Sequence, residues 1–466
     1  TQSMVGFTEY KAVLTVPITN EPVHLSLDSD LVGWSINLPE PLAKKNEATL
    51  FHFEMELESE REQNAYFNLG SRLQSVFAVQ KGKITRGLVQ LGQQQGLGDM
   101  PKQGLWVNGH LSSLNIDDWL PWLRPQASNV QSKNVSAVLP ELESFNVDVD
   151  KMSYMGYLLR DVRLGLEPEE NQAWRLQIVS DDLSGEALFP HNPQQAMTVN
   201  LQTLNLPFAT DPHYSLKSAK SVDDWAIPKM NITIADLSLK AWPKLTHSQV
   251  KTQLIPTSKG IRLNQIVVNN PAFSIEGAMD WQWRGLENTT YSGQINIPNI
   301  ANLFSAFNAT PVLNSQQAVS QLSLHWLGNP TDLSLGSLNG QLLVDLKKGR
   351  VLNLNRMASI SRLLGVLDSD NFKRRLKFDF SDITQKGLAY DNIHFESEIE
   401  RGIMKNQLAF HSPSVSAQGQ GTVNLVTKDV EQFFEISVPM SSAVPYAAAV
   451  VAGPIVGGAL VAAEAV

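Results

Sequence analysis

Phe51, Phe53, Met55 and Leu57 alternate with His52, Glu54 and Glu56, and the acids continue at Glu58 and Glu60. Successive side chains of a strand point to opposite faces, so a period of two predicts a strand with one dry and one wet face. The same alternation recurs at 23–27, 232–234, 237–239 and 322–326. Gly, Pro, Asn and Asp punctuate these short runs, which predicts a mainly β, antiparallel protein. Strands this short over 466 residues imply roughly 25 to 35 of them.

The pattern also repeats at a larger scale. Segments 145–152, 230–237 and 376–383 align without gaps, each apolar at its first, third, fifth and eighth positions. Leu139-Pro140-Glu141 precedes the first and Ile227-Pro228-Lys229 the second. Segment 270–277 matches 412–419, each with proline second and glycine last. Segment 29–33 matches 181–185, each followed by a strand ending at Pro39 or Pro190. Ordered repeats of this kind predict stacked, related β units.

Helical patterns are few. At 116–123, Asp117 and Asp118 suit a first turn, and Ile116, Trp119, Leu120 and Leu123 make one apolar stripe. Pro298 suits the first turn of a helix over 298–307, and 357–367 is a third candidate. Residues 446–463 carry no charge, but Gly453, Pro454, Gly457 and Gly458 interrupt them. That predicts a buried or membrane-touching helix rather than a full span. The expected divisions are β units at 1–135, 136–320 and 321–440, then an apolar tail at 441–466. The chain starts inside a strand-like pattern and reads as a piece of a larger protein.

Composition narrows the function classes. Charged residues make up 18%, hydrophobic residues 42%, which excludes a disordered chain. The net charge is −9, which argues against nucleic acid as a partner. There is no cysteine, hence no disulfide framework and no thiolate chemistry. The nine histidines show no metal spacing, and no GxSxG, P-loop or GxGxxG occurs. No catalytic residue, cofactor or metal is expected. The pairs Asp117-Asp118, Asp181-Asp182 and Asp223-Asp224 read as cap and turn residues. Trp281 and Trp283 share a strand face, which suits either sugar stacking or simple packing; packing is the plainer reading. Lys373, Arg374 and Arg375 follow a predicted helix, where they offset its dipole or hold an anionic headgroup.

The C-terminal third carries a specific string. It runs through Leu324-His-Trp-Leu-Gly-Asn-Pro330, Leu338-Asn-Gly-Gln-Leu-Leu-Val-Asp-Leu-Lys-Lys-Gly-Arg350, Arg362-Leu-Leu-Gly-Val-Leu367, Arg374-Arg-Leu-Lys-Phe-Asp379 and Lys386-Gly-Leu-Ala-Tyr-Asp391. It ends with Ser441-Ser-Ala-Val-Pro445 and Gly453-Pro-Ile-Val-Gly457. This string resembles the C-terminal region of the YhdP family, AsmA-like proteins of the Gram-negative envelope. Segments 33–44 and 109–123 resemble that family's middle region.

The resemblance implies an elongated, strongly curved antiparallel sheet of repeating β-grooves, apolar inside. It implies a periplasmic, bridge-like lipid transfer protein, tethered to the inner membrane by a helix outside this chain. Phospholipid and the inner and outer membranes are the implied partners, with protein partners unspecified. On this reading Phe145, Val147, Val149, Met230, Ile232, Ile234, Leu376, Phe378 and Phe380 line the groove. Roughly 30 strands about 4.8 Å apart would extend on the order of 140 Å. The pattern fits a closed core equally well, so a β-solenoid scaffold or adhesin and a carbohydrate-binding β protein stay open beside it.

Overall fold

The structure, a computed structural model, describes residues 4–437 except 19–21, 58–60, 93–95, 124–139, 155–156, 170–172, 193, 207–226, 240–246, 307–309, 312, 331, 353–387 and 414. The fold is mainly β. Among the described residues are 26 strands, of which 24 belong to one mixed sheet not closed into a barrel and two form a separate ribbon. The chain divides into two compact units, 1–203 and 204–466. The predicted helix at 357–367 and the apolar tail lie outside the described residues.

In the first unit, β1 (Met4–Gly6) pairs with β4 (Trp34–Ile36) as the ribbon. The sheet runs through β2 (Lys11–Thr15), β3 (Val23–Ser29), β5 (Phe51–Leu57), β6 (Gln63–Leu69), β7 (Leu73–Gln80) and β8 (Lys83–Leu91), each antiparallel to the next. Then the expected antiparallel order is interrupted. β9 (Gly104–Leu111) runs parallel to β8 on one side and to β11 (Leu142–Tyr154) on the other, and β10 (Leu114–Asn115) is also parallel to β11. The chain between β8 and β9 crosses back, so that Gly104 pairs beside Arg86. Parallel pairing needs such a crossover of about a dozen residues. β12 (Tyr157–Glu169), β13 (Ala173–Val179) and β14 (Leu183–Phe189) resume the antiparallel order, and β15 (Met197–Leu206) lies at the division.

The 31–47 segment of this unit is organised around Lys44, which is 1% exposed. Its ammonium donates to the carbonyls of Leu31 (2.7 Å), Trp34 (2.6 Å), Lys45 (2.9 Å) and Glu47 (2.9 Å). A buried charge persists only when hydrogen-bonded, and this cage supplies the bonds.

The second unit is a single meander. It comprises β16 (Met230–Leu239), β17 (Ser248–Pro256), β18 (Gly260–Asn270), β19 (Phe273–Gln282), β20 (Asn288–Ile297), β21 (Leu313–Leu327), β22 (Asn339–Val351), β23 (Leu388–Glu400), β24 (Ile403–His411), β25 (Ser416–Asn424) and β26 (Val430–Ser437). Each is antiparallel to the next.

The two described helices begin where asparagine caps them. Asn115 Oδ1 accepts from Asp117 N at 3.2 Å at the start of α1 (Ile116–Leu123). Asn299 Oδ1 accepts from Ala301 N at 2.9 Å at the start of α2 (Ile300–Ala306). Asparagine satisfies an orphan N–H at each end, so α2 starts two residues after Pro298.

The repeat seen in the sequence has a structural cause. β11 and β16 both begin where the prolyl turns end, at Leu142 and Met230. Their apolar spacing of two, two and three marks a step in the strand. In β16 the register shifts between Ile234 and Leu237. In β11 the step from Val149 to Met152 lies opposite Asp161, whose φ is +51°. The same three-residue step separates Leu263 from Ile266, beside Gln265 at φ +51°, and Tyr390 from Ile393, opposite Lys348 at φ +48°. Such irregularities bend a strand and re-aim the side chains beyond it. The match between 29–33 and 181–185 has no such counterpart. Gly33 sits at φ +88° in a turn, whereas Gly185 is inside β14.

Candidate functional site: an apolar sheet face

Residues paired across neighbouring strands point to the same face. In the second unit one such row starts at Ile234 and passes through Val250, Val268, Ile275 and Ile295. After Ser320 it continues through Val344, Phe395 and Leu408, and ends at Gly419 and Phe434. The row crosses eleven strands and is apolar at all but Ser320 and Gly419. In the first unit, Leu27, Phe53 and Phe67 form one row, which passes Ser75 to Val89, Val107, Phe145, Leu166 and Leu176.

Two packed margins flank the row of the second unit. One is built of Ile297, Ala318, Leu346, Tyr390, Ile393 and Phe410, with Ile300 and Leu303 of α2 laid against it. The other is built of Trp326, Leu338 and Ile399, with Tyr291, Leu324 and Met404. Between them Leu322, Leu342 and Phe395 are only partly covered. Among the described residues, α2 is the one element beyond sheet neighbours that packs closely on a strand of this unit. Among the described residues no second sheet covers the face.

The opposite face carries the charges, apart from β7 and β8, where Val76, Ala78 and Leu88 are buried on that side. Arg262 makes a two-pronged contact with Asp280, Nε to Oδ1 at 2.8 Å and an NH2 nitrogen to Oδ2 at 2.9 Å. Arg175 reaches Glu169 at 2.6 Å and Glu186 at 3.1 Å. The glutamates of β5 stand here too: Glu54 and Glu56 face His24, at 3.6 and 3.8 Å. His52 lies 2.7 Å from Asp28. That hydrogen bond, followed by the one to Glu54, raises the His52 pKa against its desolvation. Exposed pairs of this sort contribute little stability; they mark which side meets water.

Six of the nine residues singled out in the sequence fall on apolar positions of described strands. Val147, Val149 and Ile234 are buried; Phe145, Met230 and Ile232 are partly covered. Phe145, Val147 and Val149 pair with Leu166, Leu164 and Val162. Met230, Ile232 and Ile234 pair with Leu254, Thr252 and Val250. Leu376, Phe378 and Phe380 lie outside the described residues, as do Lys373, Arg374 and Arg375.

Asp223-Asp224 lies outside the described residues, and the other candidates resolve into packing or turns. Trp281 and Trp283 are 8% and 9% exposed, with ring centroids 4.8 Å apart at 59°. They pack on each other and present no open platform. Asp117 and Asp118 stand in the first turn of α1, and Asp181-Asp182 in the turn before β14. Among the described residues no group of three or more His, Asp or Glu is placed to hold a metal ion, and no helix is long and apolar enough to cross a membrane.

Sequence reading missed three polar residues on the apolar face, Ser397, Asn406 and Gln432. Each occupies an inward position flanked by apolar ones: Phe395 and Ile399, Met404 and Leu408, Val430 and Phe434. That break in the alternation was the available signal.

The chain is 23% identical over 477 residues to the intermembrane phospholipid transporter YhdP of Escherichia coli (strain K12), an alignment that covers 95% of this chain and 35% of that protein. It therefore spans about a third of that relative's length. No solved structure matches the chain. The family model described as YhdP protein matches residues 2–466. With that match running nearly end to end, the chain belongs to the YhdP family.

Proposed function

We propose that this chain carries phospholipid acyl chains on its apolar sheet face and is one segment of a periplasmic bridge between the inner and outer membranes. The observation that carries the reading is the apolar face of the second unit, continuous from β16 to β26 and covered by no second sheet among the described residues. The relative's name supports the choice of phospholipid as cargo.

The physics fits the task. A two-tailed lipid hides on the order of 30 methylenes, and exposing them all would cost on the order of 25 kcal/mol at about 0.8 kcal/mol each. An apolar surface running through the aqueous space removes most of that barrier. Headgroups stay in water, and no bond is made or broken. Phe145, Val147, Val149, Met230, Ile232 and Ile234, with Leu376, Phe378 and Phe380, contribute nonspecific contact in this reading. Lys373, Arg374 and Arg375 are offered as headgroup contacts.

The test is mild purification, organic extraction and mass spectrometry, with an unrelated periplasmic protein as control. Stoichiometric phospholipid is expected. A folded protein with no more lipid than the control would overturn the reading for this chain and return the scaffold alternative.

A further inference from the structure

Ser397, Asn406 and Gln432 form a polar seam across a largely apolar floor. Asn406 is paired with Ser397 on one side and Gly421 on the other, and Gly421 is paired with Gln432. The three polar residues and one glycine therefore stand in line across β23 to β26. Gly421 leaves the line open: a Cβ there would run into the Glu431 carbonyl oxygen and stand 2.9 Å from the Gln432 side chain. Gln432 passes over the glycine, and its amide N–H donates to Asn406 Oδ1 at 2.8 Å.

The three are 2%, 5% and 9% exposed, so water is not their ordinary partner. The Ser397 hydroxyl has no hydrogen-bond partner among the described residues. A buried, unpaired hydroxyl is costly, and structures retain few of them without a reason. No charged side chain stands in the seam. On β23, β24 and β26 the charges occupy the other parity, at Glu396, Glu398, Lys405, Glu431 and Glu435.

We infer that this seam is a binding station for the ester-linked glycerol region of a diacyl lipid whose chains lie on the flanking apolar rows. The inference rests on the lipid reading above. Ester carbonyls only accept hydrogen bonds, and the seam offers a hydroxyl and a primary amide to donate them. Neutral donors suit a neutral ester and give a charged headgroup nothing to pair with. Phe395, Leu408 and Phe434 on one side, and Ile399, Met404 and Val430 on the other, supply the apolar surface for the chains. A sliding lipid would pause where its esters regain the hydrogen bonds that they lost on leaving the membrane.

The discriminating probe is a pair of lipids: a diacyl phosphatidylethanolamine and its dialkyl ether analogue of equal chain length. They share headgroup and tails and differ in the carbonyls. The full 466-residue chain, stripped of endogenous lipid, should bind the ester lipid about tenfold more tightly, the equivalent of one net hydrogen bond. Asn406→Leu combined with Gln432→Leu should abolish that preference while both lipids still bind, because the apolar rows are intact. Ser397→Ala should reduce it with less risk to the fold.

Equal binding of the two lipids by the unaltered chain overturns the station, leaves the lipid reading standing, and assigns the seam to an internal hydrogen bond or a trapped water. Binding of neither lipid overturns both readings. A preference that survives in folded Ser397→Ala and in the folded double variant also overturns the station. Circular dichroism and the melting temperature report folding in each case, and the unaltered chain's ester-to-ether ratio decides even if the double variant does not fold.

Discussion

Lys44 shows how a single side chain fixes a long irregular segment. Four carbonyls converge on one ammonium and tie together four points of the segment. Lys44→Met keeps most of the volume and removes the donors, so the local structure should lose about 1–3 kcal/mol, the cost of leaving carbonyls unpaired. Amide hydrogen exchange across 31–47 should quicken while the meander of the second unit is unaffected. Unchanged protection there would mean that the cage is incidental. His52 offers a milder test. Its pKa is raised, first by its hydrogen bond to Asp28. A raised group stabilises the fold fully below its unfolded value of about 6.5 and loses that contribution as pH rises through the folded value. Asp28→Asn should lower the His52 pKa, which an NMR titration of the ring would read; an unmoved titration would show that the pair is not coupled.

Between strands, a recurring device is an aromatic ring laid over a glycine on the next strand. Gly87 is paired with Phe77, Gly349 with Tyr390, and Gly419 with Phe434. A Cβ at these glycines would stand 2.5 to 2.6 Å from the aromatic side chain. The Tyr291 hydroxyl covers Gly277 on the next strand and Gly293 on its own. Glycine weakens a strand by itself, and the ring restores the lost contact. Gly419→Val should therefore cost about 1–3 kcal/mol through overpacking against Phe434, seen as a lower urea midpoint. Gly82, at a hairpin with open space around it, tests a different strain, because its φ is +75°. Gly82→Asn should cost less than Gly419→Val, since asparagine tolerates that region.

Much of this was legible in advance. The alternation at β5 and the two-two-three spacing at β11 and β16 come from rules that act within one strand. Pairing rules act between strands, and there the sequence is quieter. Val107 and Leu105 alternate as they would in any strand, so nothing in β9 announces a parallel partner. The seam of Ser397, Asn406 and Gln432 was hidden for a related reason. Each residue alone looks like a lapse in alternation, and only the register places the three in line.

Across the whole molecule, the lipid-carrying reading makes the two sheet faces functionally unequal. Ile234→Asp puts a charge on the apolar face, and Gln249→Asp puts one on the wet face of the next strand. The first should strip co-purified phospholipid and abolish transport in a complementation assay, with strands retained by circular dichroism. The second should leave both intact. Full activity with aspartate at Ile234 would remove the face from the mechanism. Sequence alone could not separate an uncovered face from a closed core, because both need the same pattern.

The parallel strand β9 also sets an order of events. A meander such as β16 to β26 brings together mostly residues near in sequence, so each strand can add to the last as it emerges. β9 cannot finish that way. Leu105 pairs with Gly87 on one side and with Leu142 on the other, so its second edge waits until a long loop has closed. Loop closure of this kind raises the contact order and slows folding. Until β11 arrives, β9 presents an open edge with the apolar side chains Leu105 and Val107 on one face, a template for pairing with the wrong strand. The slow, aggregation-exposed step in making this protein is therefore the arrival of β11, and a refolding trap should map to β8–β11 rather than to the longer meander that follows.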